Sequence, residues 1–447
     1  MSLRDFLHDM ERKNEVIHIR NQVSPRYEIS SIMKSLDAGP ILLFDKVSGY
    51  RTRVVANVCG TRERICSALN VASKDLYKQL VDAWRSPTPA KIVKEGPVKE
   101  VVEKADLSKI PILTHFEKDA TPYITSGIVS ARSLDGKVEN VSIHRLMVVD
   151  KNRLGIRIVP RQLFKLWSMA KEEGEDLEVA ISIGLHPTLL LAATSVLPFG
   201  VSEFNVANVL LKGGLKLVKC QNVNAYAPAD AELVLEGIIS VKNEILEGPL
   251  VDVTGTYDIQ RNQPVVEIVS MMHCEDYIYQ AILPSGTEHK LLMGLPRETM
   301  IWEAVTNVVP FVKAVNLSPG GSRWLHAIIS IEKQTEGDGK NALVAAFAAH
   351  PSLKHVIVVD TDIDIFNLED VEWAVATRFQ ANEDLLIIPN ARGSSLDPSA
   401  DQKTGLTTKL GIDATCPLAM PREKFTCAKI PTSERVKKII GEIKKST

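Results

Sequence analysis

Several things are missing from this chain of 447 residues, and each absence removes a class of protein. The six cysteines (59, 66, 220, 274, 416 and 427) form no CxxC pair, which argues against a disulfide framework and points to a reducing compartment. No apolar run reaches the roughly 18 to 20 residues of a membrane span. The stretch 189–196 is a leading candidate, but it is short and contains Thr194 and Ser195. Met-Ser-Leu-Arg-Asp-Phe-Leu at the N-terminus has no signal-peptide hydrophobic region, so a cytoplasmic protein is expected. The ten histidines give no HExxH and no close HxH pair, which disfavours a zinc hydrolase. There is no phosphate-loop Gly-Lys-Ser/Thr, no GxGxxG after a strand and no GxSxG elbow. A net charge of −2 leaves no reason to expect nucleic acid as a partner.

What is present is an ordinary globular composition, 45% hydrophobic and 24% charged, in a chain long enough for two or three domains. Residues 1–110 read as an N-terminal α/β domain followed by a linker. Leu3, Phe6, Leu7 and Met10 recur at helical spacing, strand-like runs lie at 15–19 and 40–44, and the Pro-, Lys- and Glu-rich stretch 86–112 breaks the pattern. Residues 111–305 carry many short strand-like runs, at 127–131, 141–149, 155–159, 177–183, 251–257 and 265–271. Helical patterns interrupt them at 161–173, 188–194 and 230–239. That density of strands predicts a barrel or strongly curved sheet. From 306 to 447 strand and helix alternate again, as in an α/β domain, with strands at 326–332, 355–360 and 385–388 and helices at 340–349 and 368–379.

Two segments draw the chemistry together. Asn140-Val-Ser-Ile-His-Arg145 offers an amide and a guanidinium, and Glu247-Gly-Pro-Leu-Val-Asp252 offers two carboxylates. The planar fork of Arg145 stays charged and suits a carboxylate in two-point fashion, with Glu247 as its plausible partner. The Gly248-Pro249 turn signal would bring Asp252 back to the same pocket, leaving it to deliver a proton. From spacing alone the plainer reading is favoured: solvated loop carboxylates and a structural ion pair. By the same reasoning His144 is a hydrogen-bonded strand residue rather than a base. Asn140 and Glu203 are oxygen donors of the kind Mn or Mg uses beside a phosphate, although for two such residues in a long chain ordinary hydrogen bonding is the favoured reading. Asp360, Asp362 and Asp364 alternate at a strand end, where capping is preferred to a metal cluster. Lys409, beside Gly411, would suit a phosphate.

In order along the chain, Pro111-Ile-Leu-Thr-His-Phe116, Thr125-Ser-Gly127, Asn140 to Arg145, Val201-Ser-Glu203, 231–237, Glu247 to Asp252 and Lys409 to Thr415 resemble the UbiD family of prenylated-flavin-dependent decarboxylases. The resemblance covers most of the chain. It implies a central split β-barrel flavin-binding domain between two α/β domains, and a reversible, non-oxidative decarboxylase of an α,β-unsaturated or aromatic acid. It further implies prenylated FMN, a Mn or Mg ion and K, with a flavin prenyltransferase as supplier and a homodimer or larger assembly.

By the same resemblance Asn140 and Glu203 ligate the metal, and Arg145, Glu247 and Asp252 form the catalytic network, with Asp252 returning the proton. Thr125, Ser142, Ile143, His144, Arg145, Arg157, Ile158, Val159 and Lys409 would surround the cofactor. The family often has a His after the Arg157-like position, where this chain reads Pro160-Arg-Gln-Leu163; Gln162 is counted with the cofactor-binding residues, it or a water could offer the metal an oxygen, and no third protein ligand is assigned. The Arg157-Ile-Val-Pro-Arg161 run is nearest to the archaeal-type branch acting on anhydromevalonate phosphate. The alternatives are a hydroxybenzoate-type decarboxylase, which the 5% aromatic content weakly disfavours, and a flavin-binding module without turnover.

Overall fold

The computed structural model describes residues 1–428 and 430–446; Lys429 and Thr447, within the expected C-terminal domain, lie outside them. The first helix, Leu3–Arg12, begins at a capping box in which Ser2 and Asp5 exchange hydrogen bonds, and it buries the predicted stripe Leu3, Phe6, Leu7 and Met10. It covers one face of a four-stranded sheet ordered Val16–Val23, Ile41–Val47, Arg53–Ala56 and Ile278–Gln280. The last strand arrives from more than 200 residues away and pairs parallel to Arg53–Ala56, which ties the N-terminal unit to the centre.

The stretch expected to be a linker is instead stitched into the centre. Lys91–Val93 pairs with Lys216–Lys219, and Val101–Lys104 adds to the edge of Arg261–His273. Charge and proline hid these strands because each is short and half exposed.

The central sheet has nine strands, every neighbouring pair antiparallel. One edge is Tyr123–Ile124 and the other is Glu139–Ile143. These edges do not pair with each other among the described residues, so the sheet curls without closing. Its spine is the long hairpin of Leu233–Glu247 and Arg261–His273, bent where the register slips after Glu236 and after Ile239.

The helix expected over 230–239 is therefore a strand. Residues 233–237 are buried on both faces, and a continuous apolar run of that kind does not distinguish helix from strand. The strand expected over 251–257 is a tight loop, in which Gly255 N–H donates to Asp252 O at 2.8 Å and only Val251 bridges Tyr257.

A 20-residue helix, Thr287–Thr306, leads into a five-stranded sheet ordered Val312–Leu317, His326–Ile331, His355–Asp360, Leu406–Ala414 and Leu385–Arg392. Helices Asp338–Ala349 and Leu368–Arg378 flank it. Asp360 and Asp362 pair with Arg378 at 2.9 and 2.7 Å, while Asp364 accepts the Phe366 N–H, so this acidic run is used in loop closure.

Candidate active site

The hairpin's register decides where the catalytic candidates meet. Glu247 is opposite Arg261 in the last pair before the 248–260 loop, so its carboxylate lies where that loop folds back. Gly248, at φ +99°, makes the reversal in a conformation that side-chain-bearing residues rarely adopt. Arg145 reaches this end from the bend between Glu139–Ile143 and Leu146–Val148. Its Nε and Nη2 donate to the two oxygens of Glu247 at 2.9 and 2.8 Å, the two-point geometry expected of the pair.

Nη1 of Arg145 donates to Asp252 at 3.3 Å and Nη2 to Asp258 at 3.1 Å. Tyr123 donates its hydroxyl to Glu247 at 3.2 Å. Glu247 is 0% exposed whereas the Asp252 side chain keeps 21%, so the second acid is the one a ligand can reach. Burial works against the Arg145 charge, and the carboxylates of Glu247, Asp252 and Asp258 together more than offset it. Asp258 in turn pairs with Arg261 at 2.8 Å and stands 3.8 Å from Arg157. Three guanidiniums thus face three carboxylates, which limits the cost of placing this much charge out of water.

The edge strand carries a second set. Alternation puts Asn140, Ser142 and His144 in one row, while Val141 turns into the core. Ser142 Oγ is 3.0 Å from Asn140 Oδ1 and 2.9 Å from His144 Nε2, and His144 Nδ1 is 3.0 Å from the Arg157 carbonyl. That carbonyl requires a proton on Nδ1, and burial lowers the ring's pKa to about 4, so His144 is neutral and its Nε2 accepts. Ser142 has one proton to give. When His144 takes it, Asn140 Oδ1 has a free lone pair.

Glu203, 3% exposed, begins the helix Glu203–Leu210 and accepts from Val141 N–H at 2.7 Å and from Asn140 Nδ2 at 3.2 Å. Burial pushes its carboxyl up to about 8, and no cation pairs with it among the described residues. Gln162, on the helix that packs against this strand, donates to the Leu197 carbonyl at 2.6 Å and has a buried, unpartnered Oε1. Oxygen donors around an uncompensated buried carboxylate fit a hard divalent cation.

The other candidates fall into two groups. Ile143 continues the same strand, Ile158 N–H donates to Gln263 at 2.8 Å, and Val159 accepts the Arg161 N–H, the last two following Arg157, whose carbonyl His144 holds. Thr125 uses its hydroxyl oxygen to accept the Ile282 N–H at 3.1 Å and fastens the neighbouring strand. Lys409 is not brought to this cluster by any hydrogen bond. Its ammonium donates to the carbonyls of Pro351 and Leu353, both at 2.6 Å, within the C-terminal sheet unit.

Sequence reasoning missed Tyr123, Asp258 and His289. His289 stands on the helix Thr287–Thr306 and accepts the Ser285 N–H at Nδ1, 3.0 Å away. Burial lowers its pKa, with Asp252 opposing and Arg145 reinforcing the shift, so it borders the exposed acid and keeps its one proton on Nε2. Its only sequence signal was an isolated His two positions into an unassigned helix.

Comparison with known proteins places these residues in context. Residues 91–287 match the profile described as the UbiD 3-octaprenyl-4-hydroxybenzoate carboxy-lyase Rift-related domain. Residues 290–414 and 7–84 match that family's C-terminal and N-terminal domains. An anhydromevalonate phosphate decarboxylase of Methanothermobacter thermautotrophicus is 46% identical over 423 residues, 95% of this chain and 98% of that protein. The UbiD-class enzyme HmfF from Pelotomaculum thermopropionicum, solved with FMN, superposes with a TM-score of 0.96 at 42% identity, over 98% of this chain and 100% of that one. An evolved dimeric form of HmfF, solved with prenylated FMN, gives 0.90 at 41% identity, over 96% and 97%. With all three domain profiles matched in order and relatives of this identity along nearly its whole length, the chain belongs to the UbiD family.

Proposed function

We propose that this protein is a prenylated-FMN-dependent carboxy-lyase acting on trans-anhydromevalonate 5-phosphate, with Asp252 as the acid that replaces CO2 by a proton. The observation that carries the proposal is the network in which one buried guanidinium holds fully buried Glu247 and accessible Asp252 together, beside a separate oxygen-donor set. The 46% identity to an anhydromevalonate phosphate decarboxylase supports the choice of substrate.

Loss of CO2 from an unsaturated carbon leaves electron density that protein side chains cannot accept, and the bound modified flavin supplies the electron sink. The chain's own residues do the rest. Asn140 and Glu203 would hold Mn or Mg, with the Gln162 oxygen or a water completing the set and K as a further ion. Thr125, Ser142, Ile143, His144, Arg157, Ile158 and Val159 would line the flavin, and Lys409 would face it only after leaving the Pro351 and Leu353 carbonyls that hold its ammonium. Arg145 orients the substrate acid and Glu247, and Asp252 moves the proton from its carboxyl oxygen to the carbon vacated by CO2.

We further propose that the curled central sheet acts as a split barrel for the flavin and that the domains divide at 1–110, 111–305 and 306–447. The working form would be a cytoplasmic homo-oligomer, loaded by a flavin prenyltransferase.

Protein produced with a flavin prenyltransferase should show flavin absorbance and release CO2 from trans-anhydromevalonate 5-phosphate. Release from hydroxybenzoates instead would reassign the substrate. Cofactor-loaded protein inert toward both acids would make it a binding module.

A further inference from the structure

The helix Thr287–Thr306 continues past His289 to Arg297, eight residues and about 12 Å along its axis. Arg297 is 7% exposed. Its guanidinium lies over the Trp324 ring, 5.5 Å from the centroid, and its one hydrogen bond goes to the Met300 sulfur at 3.3 Å. No carboxylate pairs with it among the described residues; the charged group that acts on it is Arg161, another cation.

Further cation-forming groups gather on the same side. His350, whose ring meets Trp324 at 4.6 Å, experiences Arg297, Arg161 and Lys409, and Arg161 experiences Arg392. Arg161 lies directly before Gln162, on the segment that carries the flavin-lining candidates; it is exposed, and no carboxylate pairs with it among the described residues. Elsewhere in this protein a buried guanidinium is matched by carboxylates: Arg145 by Glu247, Asp252 and Asp258, and Arg378 by Asp360 and Asp362. A guanidinium this buried, with a ring and a sulfur for partners and no carboxylate among the described residues, is a costly arrangement unless an anion completes it.

We infer that Arg297 binds the phosphate monoester of the substrate and makes the enzyme selective for a phosphorylated acid. The inference rests on the substrate reading above and assigns residues to its phosphate. A main chain of five carbons ending in a phosphate ester spans roughly 7 Å from carboxyl carbon to phosphorus. That length, with the reach of an arginine side chain, bridges from the Asp252 and His289 end of the helix to Arg297. The fork geometry of guanidinium suits a phosphate dianion. The flavin also ends in a phosphate, so the test must tell the two sources apart.

The test uses flavin-loaded wild type, Arg297→Met and Arg297→Lys. Three quantities are read: kcat/KM for trans-anhydromevalonate 5-phosphate relative to the unphosphorylated acid, flavin content from absorbance, and thermal stabilisation by inorganic phosphate. Arg297→Met should lower the kcat/KM ratio by about 30-fold, the scale of a lost charge-assisted contact, and abolish the phosphate effect at unchanged flavin content. Arg297→Lys should recover part of both. Equal losses for the two acids, or an unchanged ratio, would overturn the inference. So would loss of flavin, which would assign the cluster to the cofactor's own phosphate. If wild type turns over neither acid, the proposed function falls while the phosphate titration still decides the site: saturable stabilisation lost in Arg297→Met keeps it, and no stabilisation of wild type removes it.

Discussion

Arg145→Met removes one cation from three carboxylates, and its cost can be worked from the contacts. Two short bonds to Glu247 and longer ones to Asp252 and Asp258 are lost together, and Glu247 remains fully buried with only the Tyr123 hydroxyl as a side-chain donor. Leaving one partner of a buried pair uncompensated costs about 3–5 kcal/mol. At roughly 1.4 kcal/mol per decade, that is about 10² to 10³ or more in local opening. Native-state hydrogen exchange of peptides from the 233–247 and 261–273 strands reads this directly, because their paired ends carry Glu247 and Arg261. Adding Glu247→Gln to Arg145→Met removes the orphaned charge and should recover about 2 kcal/mol or more of the loss. A double-mutant cycle in which the two changes add to within about 0.5 kcal/mol would refute the coupling.

Further outcomes follow from single contacts. Tyr123→Phe takes away a donor to a buried carboxylate and should lower stability by about 1.5–3 kcal/mol, measured by the same exchange. Glu203→Gln should lose tight Mn or Mg, checked by metal analysis of dialysed protein, because the one carboxylate of the Asn140, Glu203 and Gln162 oxygen set is gone. Glu288 is fully buried, and burial raises its carboxyl to about 7. A raised folded-state value means its contribution is complete below the ordinary 4.5 and is lost as pH rises through about 7. Wild type should therefore lose stability over that window relative to Glu288→Gln, as thermal melts across pH would record; identical pH profiles would contradict the assignment.

Asn140, Ser142 and His144 were gathered by the family resemblance, and the structure supplies the physical reason: residues at steps of two share a face where 139–143 is a strand. The pairing of Arg145 with Glu247 was readable as chemistry, but its location depended on the hairpin register, which no local pattern specifies. Asp258 was passed over because the 251–257 run looks like a strand and is a turn. His289 and Arg297 were lost with their helix, whose pattern is broken by Gly294 and Pro296 and whose burial comes from surrounding units rather than from a single apolar stripe. The N-terminal sheet hid its fourth strand for a related reason. Ile278–Gln280 is three residues long and finds its partner over 200 positions earlier.

The central claim is that Asp252, held by Arg145 beside Glu247, delivers the proton. It is tested most directly by flavin- and metal-loaded protein in deuterated water, following deuterium entry into the decarboxylated product by mass spectrometry. Wild type should incorporate one deuteron at the carbon that lost CO2 and should also exchange that position in added product. Asp252→Asn, with equal flavin absorbance, should do neither. Wild-type rates of exchange and turnover in Asp252→Asn would contradict the account.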